Sequence, residues 1–342
     1  MRRITRTALA GLLLALAAPA FFAGRAEAKE TRFLTGNAAD AKPRKLHGPA
    51  YHLQGGGTDV GAAFQWLIDK VRGCEGDCAV KLDLVVLRSS GGDGYNDYLF
   101  KMKGVDSVET LVIKDRADSD SAAVRDTVRG AEVVFFAGGD QCNYVKYFKG
   151  TEVERGVESV HARGGGVGGT SAGLAIMGDV AYDACSGGSA RSTQSLANPY
   201  DKDISFTQDF FDWPPLRGII TDTHFVERDR MGRTLAFVAR QLKDARYKRI
   251  TALAVERETS VISDRRGQAR VMGKGPVYLV LGDHAPEVCE PGRPLTYSNY
   301  KLWKLPSGAT LDLEHLPTAG FYTVSVREGK ILQDPYQLSG QR

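Results

Sequence analysis

The sequence predicts an α/β fold, a mostly parallel sheet with helices on both faces, and three observations carry that prediction. From Tyr51 onward, short apolar runs alternate with longer amphipathic stretches, the rhythm of strand, crossover helix and next strand. Several of these runs end in glycine-rich turns, at the strand edge where open sheets of this class bind ligands. Beyond Ile250 the helical spacing stops and short strand-like segments follow, an antiparallel C-terminal extension of the sheet's edge.

In chain order, Arg2, Arg3 and Arg6 precede an apolar run from Ala8 to Phe22, and Ala26, Glu27 and Ala28 follow. That is the order of a secretory signal, and the run is shorter than the roughly 20 residues a membrane-spanning helix needs. Residues 1–28 are therefore expected to be a signal peptide. Residues 29–50, with Lys42, Pro43, Arg44 and Lys45, read as a flexible leader, and 51–342 as a single α/β domain. Strands are expected at Val85–Leu87, Thr110–Ile113, Val133–Ala137 and Arg217–Thr221, and helices at Gly61–Arg72, Ser119–Val128, Glu152–Ala162 and Arg228–Leu242. From Cys185 to Asp212 the chain turns polar and glycine-rich, then aromatic at Phe206, Phe210, Phe211 and Trp213, which reads as a long surface loop packed near the site. Thr259–Ser263, Gln268–Val271 and Pro276–Leu281 are the strands of the extension.

The formal net charge is +4, and loss of the four arginines and one glutamate in 1–28 would leave +1. Such a balance offers no field for nucleic acid or anionic lipid. The five cysteines all lie beyond residue 28, so at least one is unpaired within the chain. Cys74 and Cys78 bracket a short polar stretch that suits a small disulfide loop in an oxidising compartment. A metal site there would need further His or Cys ligands, and none lies nearby in sequence.

Three segments carry chemistry. In Gly168, Gly169, Thr170, Ser171, Ala172, Gly173 a serine sits among small residues where a strand would meet a helix. This is the pattern of a nucleophile elbow, which permits a strained backbone and exposes the hydroxyl. An ordinary anion-binding glycine turn would look the same. Gly138, Gly139, Asp140 and Gln141 end the apolar run Val133–Ala137, and amides there could approach a developing oxyanion or simply connect two elements. In the third segment Asp222, Thr223 and His224 follow an apolar run and precede Arg228, Arg230 and Arg233. The imidazole could serve Ser171 as base and then acid, and the guanidiniums could grip carboxylates bidentately or form a solvated charged face.

These three ordered motifs resemble the cyanophycinases and the related aspartyl dipeptidases, serine peptidases on a flavodoxin-like fold akin to class I glutamine amidotransferases, in register from about Tyr51 to Leu281. The resemblance implies Ser171 as nucleophile, His224 as base, and Gly138, Gly139, Asp140, Gln141, Ala172, Asp222, Arg228, Arg230 and Arg233 as substrate-binding residues. It implies no metal or organic cofactor, a secreted or periplasmic location, and an Asp/Arg-rich peptide or polymer as partner, with no nucleic acid, no membrane after signal cleavage, and a homodimer as the one oligomer entertained. The reaction implied is hydrolysis of cyanophycin, multi-L-arginyl-poly-L-aspartate, to β-Asp-Arg dipeptides. Its carboxylates suit the arginines, and its guanidinium arms suit Asp209, Asp212 and Trp213. The chain departs from the family's pattern at Thr223, where relatives carry Gln, and in the stretch Val255, Glu256, Arg257, Glu258, Thr259. Direct register puts Arg257 where the triad's acid is expected, so Glu256 or Glu258 would have to supply it, unless the chain is an impaired homologue that binds without cutting. An α/β-hydrolase is disfavoured, because its triad runs in the order Ser, acid, His.

Overall fold

Leu82–Arg88 and Val133–Phe136 lie side by side in parallel register, and their side chains alternate between two apolar cores. Val85 and Leu87 enter one, Leu84 and Val86 the other. A strand covered on both faces has no polar side to present, which is why these segments read as continuous apolar runs. The computed structural model describes residues 31–337, so the expected signal peptide lies outside the described residues.

There are two sheets where the sequence suggested one. The first runs, in spatial order, Thr31–Gly36, Val105–Val112, Leu82–Arg88, Val133–Phe136, Gly166–Thr170, Ala50–Gln54, Thr259–Asp264, Gln268–Gly273 and Thr310–Asp312. The five strands from Val105–Val112 to Ala50–Gln54 are parallel, and those flanking them are antiparallel. The second runs Lys330–Ile331, Tyr322–Arg327, Tyr297–Leu305, Val277–Gly282, Ile250–Val255, Ile219–Asp222, Val180–Tyr182 and Phe206–Gln208, with parallel pairing of Ile250–Val255, Ile219–Asp222 and Val180–Tyr182. The expected extension is therefore divided. Its first two strands join the first sheet beside Ala50–Gln54, while Val277–Gly282 pairs with Ile250–Val255 in the second. The chain crosses between sheets at residues 256–258.

Both sheets turn one face to a shared core, where Leu53, Val134 and Phe136 meet Leu253, Val255 and Leu279. Helix Gly61–Arg72 covers the outer face of the first sheet through Phe64, Leu67, Ile68 and Val71, and helix Met231–Lys243 covers the second through Leu235, Val238 and Leu242. Each large aliphatic side chain so buried contributes about 1.5–3 kcal/mol. Helices Gly61–Arg72 and Glu152–Ala162 have the expected bounds. The stretch expected as Ser119–Val128 is two helices, Arg116–Ser119 and Ala122–Gly130, because Ser121 caps the second through the amide of Val124.

Two local expectations fail. Residues read as a leader contribute the edge strand Thr31–Gly36, held by six register partners in Val105–Val112 and by the Arg32–Glu109 ion pair. The supposed surface loop carries a helix, Ser192–Ala197, and a strand, Phe206–Gln208. Phe210, Phe211 and Trp213 are buried in the shared core, where Phe211 packs 5.5 Å from Phe136 and stacks on Trp213. No described helix is long and apolar enough to cross a membrane.

Candidate active site

Ser171 ends the strand Gly166–Thr170 and opens the short helix Ala172–Ala175. Its backbone sits at φ 52°, ψ −115°, a region side-chain-bearing residues rarely adopt and one that throws the hydroxyl clear of the sheet. The turn closes because Gly173 has no side chain; a Cβ there would lie 2.1 Å from the carbonyl oxygen of Phe136.

His224 follows the strand Ile219–Asp222 of the other sheet, also at positive φ. Its Nε2 lies 3.1 Å from Ser171 Oγ, and its Nδ1 lies 2.7 Å from Glu227 Oε2. An ionised carboxylate can only accept, so Glu227 places the proton on Nδ1 and leaves Nε2 free to accept from the serine hydroxyl. Burial holds the His224 ring below its ordinary range, with the charges of Arg228 and Arg230 acting the same way against the Glu227 hydrogen bond. That hydrogen bond in turn draws the Glu227 carboxyl below its usual range.

The carboxylate at the ring is thus neither of the two singled out in the sequence. Glu256 is buried, and it accepts from the backbone N–H groups of Val226 and Glu227, steadying the turn that presents His224. Glu258 faces away, 2.6 Å from Lys274 and 3.4 Å from Arg257. Arg257, which direct register places at the acid's position, lies 3.5 Å from Glu227 Oε1. The cue in the sequence was spacing: a turn carries the side chain three residues beyond His224 back towards the ring.

Sequence reading also missed the template beneath the pair. At the end of Ala50–Gln54, the carbonyl of Gln54 accepts from Ser171 N–H (3.1 Å), that of Gly55 from His224 N–H (2.8 Å), and that of Gly56 from Glu258 N–H (2.7 Å). Three distant segments are pinned by three successive peptide groups. Gly56, at φ +115°, passes under the imidazole so closely that a Cβ would lie 2.1 Å from Nε2. The cue was the run Gly55, Gly56, Gly57 after a buried strand.

Beside this pair lies a cleft of about 510 Å³ lined by Gly139, Asp140, Gln141, Ala172, Asp222 and the three arginines, among others. A Cβ on Gly138 would lie 3.6 Å from the Cβ of Ser171. Asp140 caps the helix Gln141–Phe148 through the Cys142 amide at 2.8 Å and so fixes the glycine turn. The arginines are not equivalent. Arg233 is buried against Asp222, bonded through Nε at 2.9 Å and also through Nη2, and Thr234 donates to the same carboxylate at 2.6 Å. Burial opposes ionisation of Asp222, yet Arg233, Arg230 and Thr234 leave its carboxyl below the usual range. Arg230 donates to the carbonyl and hydroxyl of Thr223, both at 2.8 Å. Asp222 and Arg233 therefore build the wall, and Arg228, half-exposed and 4.0 Å from Glu227, is the guanidinium open to a ligand.

A disulfide joins Cys142 to Cys185 and ties the loop carrying Gly187, Gly188 and Ser189 to the glycine-turn side of the cleft; Cys74 and Cys78 form the second pair, and Cys289 is buried and free. Asp209, Asp212 and Trp213 do not line the cleft. Asp212 is occupied by Arg217 at 2.7 Å, and Trp213 belongs to the core. Among the described residues no cluster of His, Cys, Asp and Glu could hold a metal ion.

No model of a known protein family matches the chain. Among curated proteins, the cyanophycinase of Trichormus variabilis is 29% identical over 216 residues, 61% of this chain and 66% of the relative. The cyanophycinase of Nostoc sp. matches with the same identity and coverage, and that of Geminocystis herdmanii is 26% identical over 237 residues, 67% of this chain and 80% of the relative. The first two matches thus span just under two thirds of those relatives' length. The crystal structure of a peptidase from an acI-B1 Actinobacterium shares the fold at a TM-score of 0.51 and 13% identity, covering 79% of this chain and 99% of that one. The resemblance drawn from the three motifs is borne out by these relatives.

Proposed function

We propose that the chain is an exported serine-type peptidase of the cyanophycinase kind, and the observation that carries the proposal is the hydrogen-bonded series Ser171 Oγ, His224, Glu227. His224 Nε2 takes the hydroxyl proton as Oγ attacks the scissile carbonyl carbon, and Glu227 stabilises the imidazolium that forms. Ala172, the residue after the nucleophile, and Gly139 line the cleft, and their backbone N–H groups would receive the developing oxyanion. Collapse of the tetrahedral adduct expels the amine, which takes its proton from Nε2. Water then attacks the acyl-enzyme by the same route and regenerates Ser171. Arg228 would grip a substrate carboxylate, with Gln141 on the opposite wall.

The substrate is cyanophycin, cut to β-Asp-Arg dipeptides, on a parallel α/β core of flavodoxin type. The names of the relatives support this reading, as does a cationic cleft suited to regularly spaced carboxylates. Export is supported by the signal-like N-terminus and by two disulfides, which persist in oxidising compartments. The disulfide-tied loop favours a second reading, an aspartyl dipeptidase, since a wall fixed over the cleft selects short peptides. Incubating the protein with insoluble cyanophycin decides between them. Soluble β-Asp-Arg released by the native chain and not by Ser171→Ala supports the first, and cleavage of short Asp peptides alone supports the second. Absence of both, with Ser171 inert to a serine-reactive phosphonate, would refute the peptidase.

A further inference from the structure

The cleft does not end at its arginines. On their far side lies a second cavity of about 540 Å³, which shares Ser189, Arg228 and Arg230 with the first and is completed by Ala190, Arg191, Ser192, Thr193 and Asp229. Its charges are unbalanced. Arg191 is exposed, and its side chain makes no ion pair or hydrogen bond among the described residues. Arg228 reaches only Glu227, at 4.0 Å. The carboxylate nearest Arg230, that of Asp222 at 3.8 Å, is already engaged by Arg233. Burial, with Arg233 next in weight, pushes Arg230 down to about 10 against the opposing pull of Asp222, the response of a cation withdrawn from water beside a second cation. The cavity's own carboxylate, Asp229, accepts from the Tyr336 hydroxyl at 2.9 Å. Three arginines thus line a concave space with one carboxylate among them, and such a space concentrates anions.

The hydroxyls narrow the choice of ligand. Ser192 is spent, since its Oγ donates to the Asp229 carbonyl and accepts from Arg233 N–H at 3.2 Å. A ligand here would be met by planar guanidinium forks, which match a carboxylate in bidentate geometry. We propose that this cavity is a second anionic subsite, holding through Arg191 a carboxylate of an acidic peptide farther along the chain than the residue gripped beside Ser171, with Arg228 and Arg230 as the common wall. The placement of the peptide rests on the peptidase reading, whereas the affinity does not.

Calorimetric titration of the Ser171→Ala protein tests the subsite without turnover. The probes are capped five-residue peptides with one fixed aspartate and a second moved one position at a time, each paired with a peptide carrying asparagine at the moved position. One spacing should bind about tenfold tighter as the diacid than as its asparagine partner, as for a well-formed charge-assisted contact. Arg191→Ala should erase that gain and leave the asparagine peptide's affinity unchanged, and Arg191→Glu should reverse the preference. Arg191 is exposed and supports no packing, so folding is not at issue. A gain that survives Arg191→Ala, an equal loss for both peptides, or no gain at any spacing would overturn the proposal. Hydrolysis by the native chain, assayed separately, reports on the peptidase reading.

Discussion

The two residues that meet in the cleft come from halves of the molecule built on different physics. Ser171 stands at the end of the first sheet, where position is enforced by lack of room: Gly173 backs onto Phe136 and Gly56 passes under the imidazole with no space for a methyl group. His224 stands at the end of the second sheet, where position is enforced by charge and hydrogen bonding through Asp222, Glu227, Arg230, Arg233 and Glu256. One side fails when an atom is added, the other when a partner is taken away. Only the second responds to pH.

The largest effect expected is on the line between the halves. Ser171→Ala should lower turnover by about a millionfold, as loss of a triad nucleophile does, with an unchanged thermal midpoint. Residual activity within a hundredfold of the native chain would mean that the hydroxyl does not attack. On the charged side, Glu227→Gln should cost roughly a thousandfold in kcat. That is less than the roughly ten-thousandfold seen for a buried triad acid, since this carboxylate is partly open to water and its loss can be partly compensated. Glu258→Gln, whose carboxylate serves Lys274, should leave kcat unchanged. If the two variants exchanged phenotypes, the assignment of the orienting acid would fall.

On the crowded side, Gly56→Ala should cost about a hundredfold, the penalty of displacing a catalytic group by about 1 Å, because the new methyl group must move either the ring or the strand end. The comparison sharpens if Glu256→Ala is made beside it. That variant leaves the N–H groups of Val226 and Glu227 without their acceptor, at about 1–3 kcal/mol, and so should lower the thermal midpoint as well as the rate, while Glu256→Gln, which keeps an acceptor oxygen, should recover much of both.

The same division explains what could be read from the sequence. The parallel strands Leu82–Arg88, through its stretch Leu84–Leu87, and Val133–Phe136 announced themselves because burial on two faces leaves only apolar residues there. Gly166–Thr170 is as central but almost bare of side chains, so it was legible only as the approach to Ser171. Tyr297–Leu305 and Tyr322–Arg327 alternate weakly and went unread. Within the site, Ser171 and His224 were legible because each is a chemically distinctive residue at a strand end. Glu227 was hidden among the charges around it, and register arguments pointed to the stretch at 256–258, which serves the turn from behind. The role of Gly55 and Gly56 lies in their carbonyls, which no residue type betrays. The unequal duties of the three arginines followed from burial, which helical spacing does not give.

The smallest effect is the one that separates charge from contact. His224 must be neutral to accept the serine proton, and burial with two neighbouring arginines holds its pKa below the ordinary 6.5, so the acid limb of kcat/KM should lie below pH 6.5. Arg228 contributes by repelling the imidazolium. Arg228→Ala removes that repulsion, makes protonation easier, and should shift the limb upward by a fraction of a pH unit, while Arg228→Lys, which keeps the charge, should leave it near its native place. Both variants should raise KM for an acidic peptide by about tenfold if the guanidinium fork binds it, since the ammonium of lysine cannot reproduce a bidentate contact. A limb that moved equally in both, or moved downward in the alanine variant, would mean that Arg228 acts on His224 through packing, and the second half of the molecule would then be governed by shape like the first.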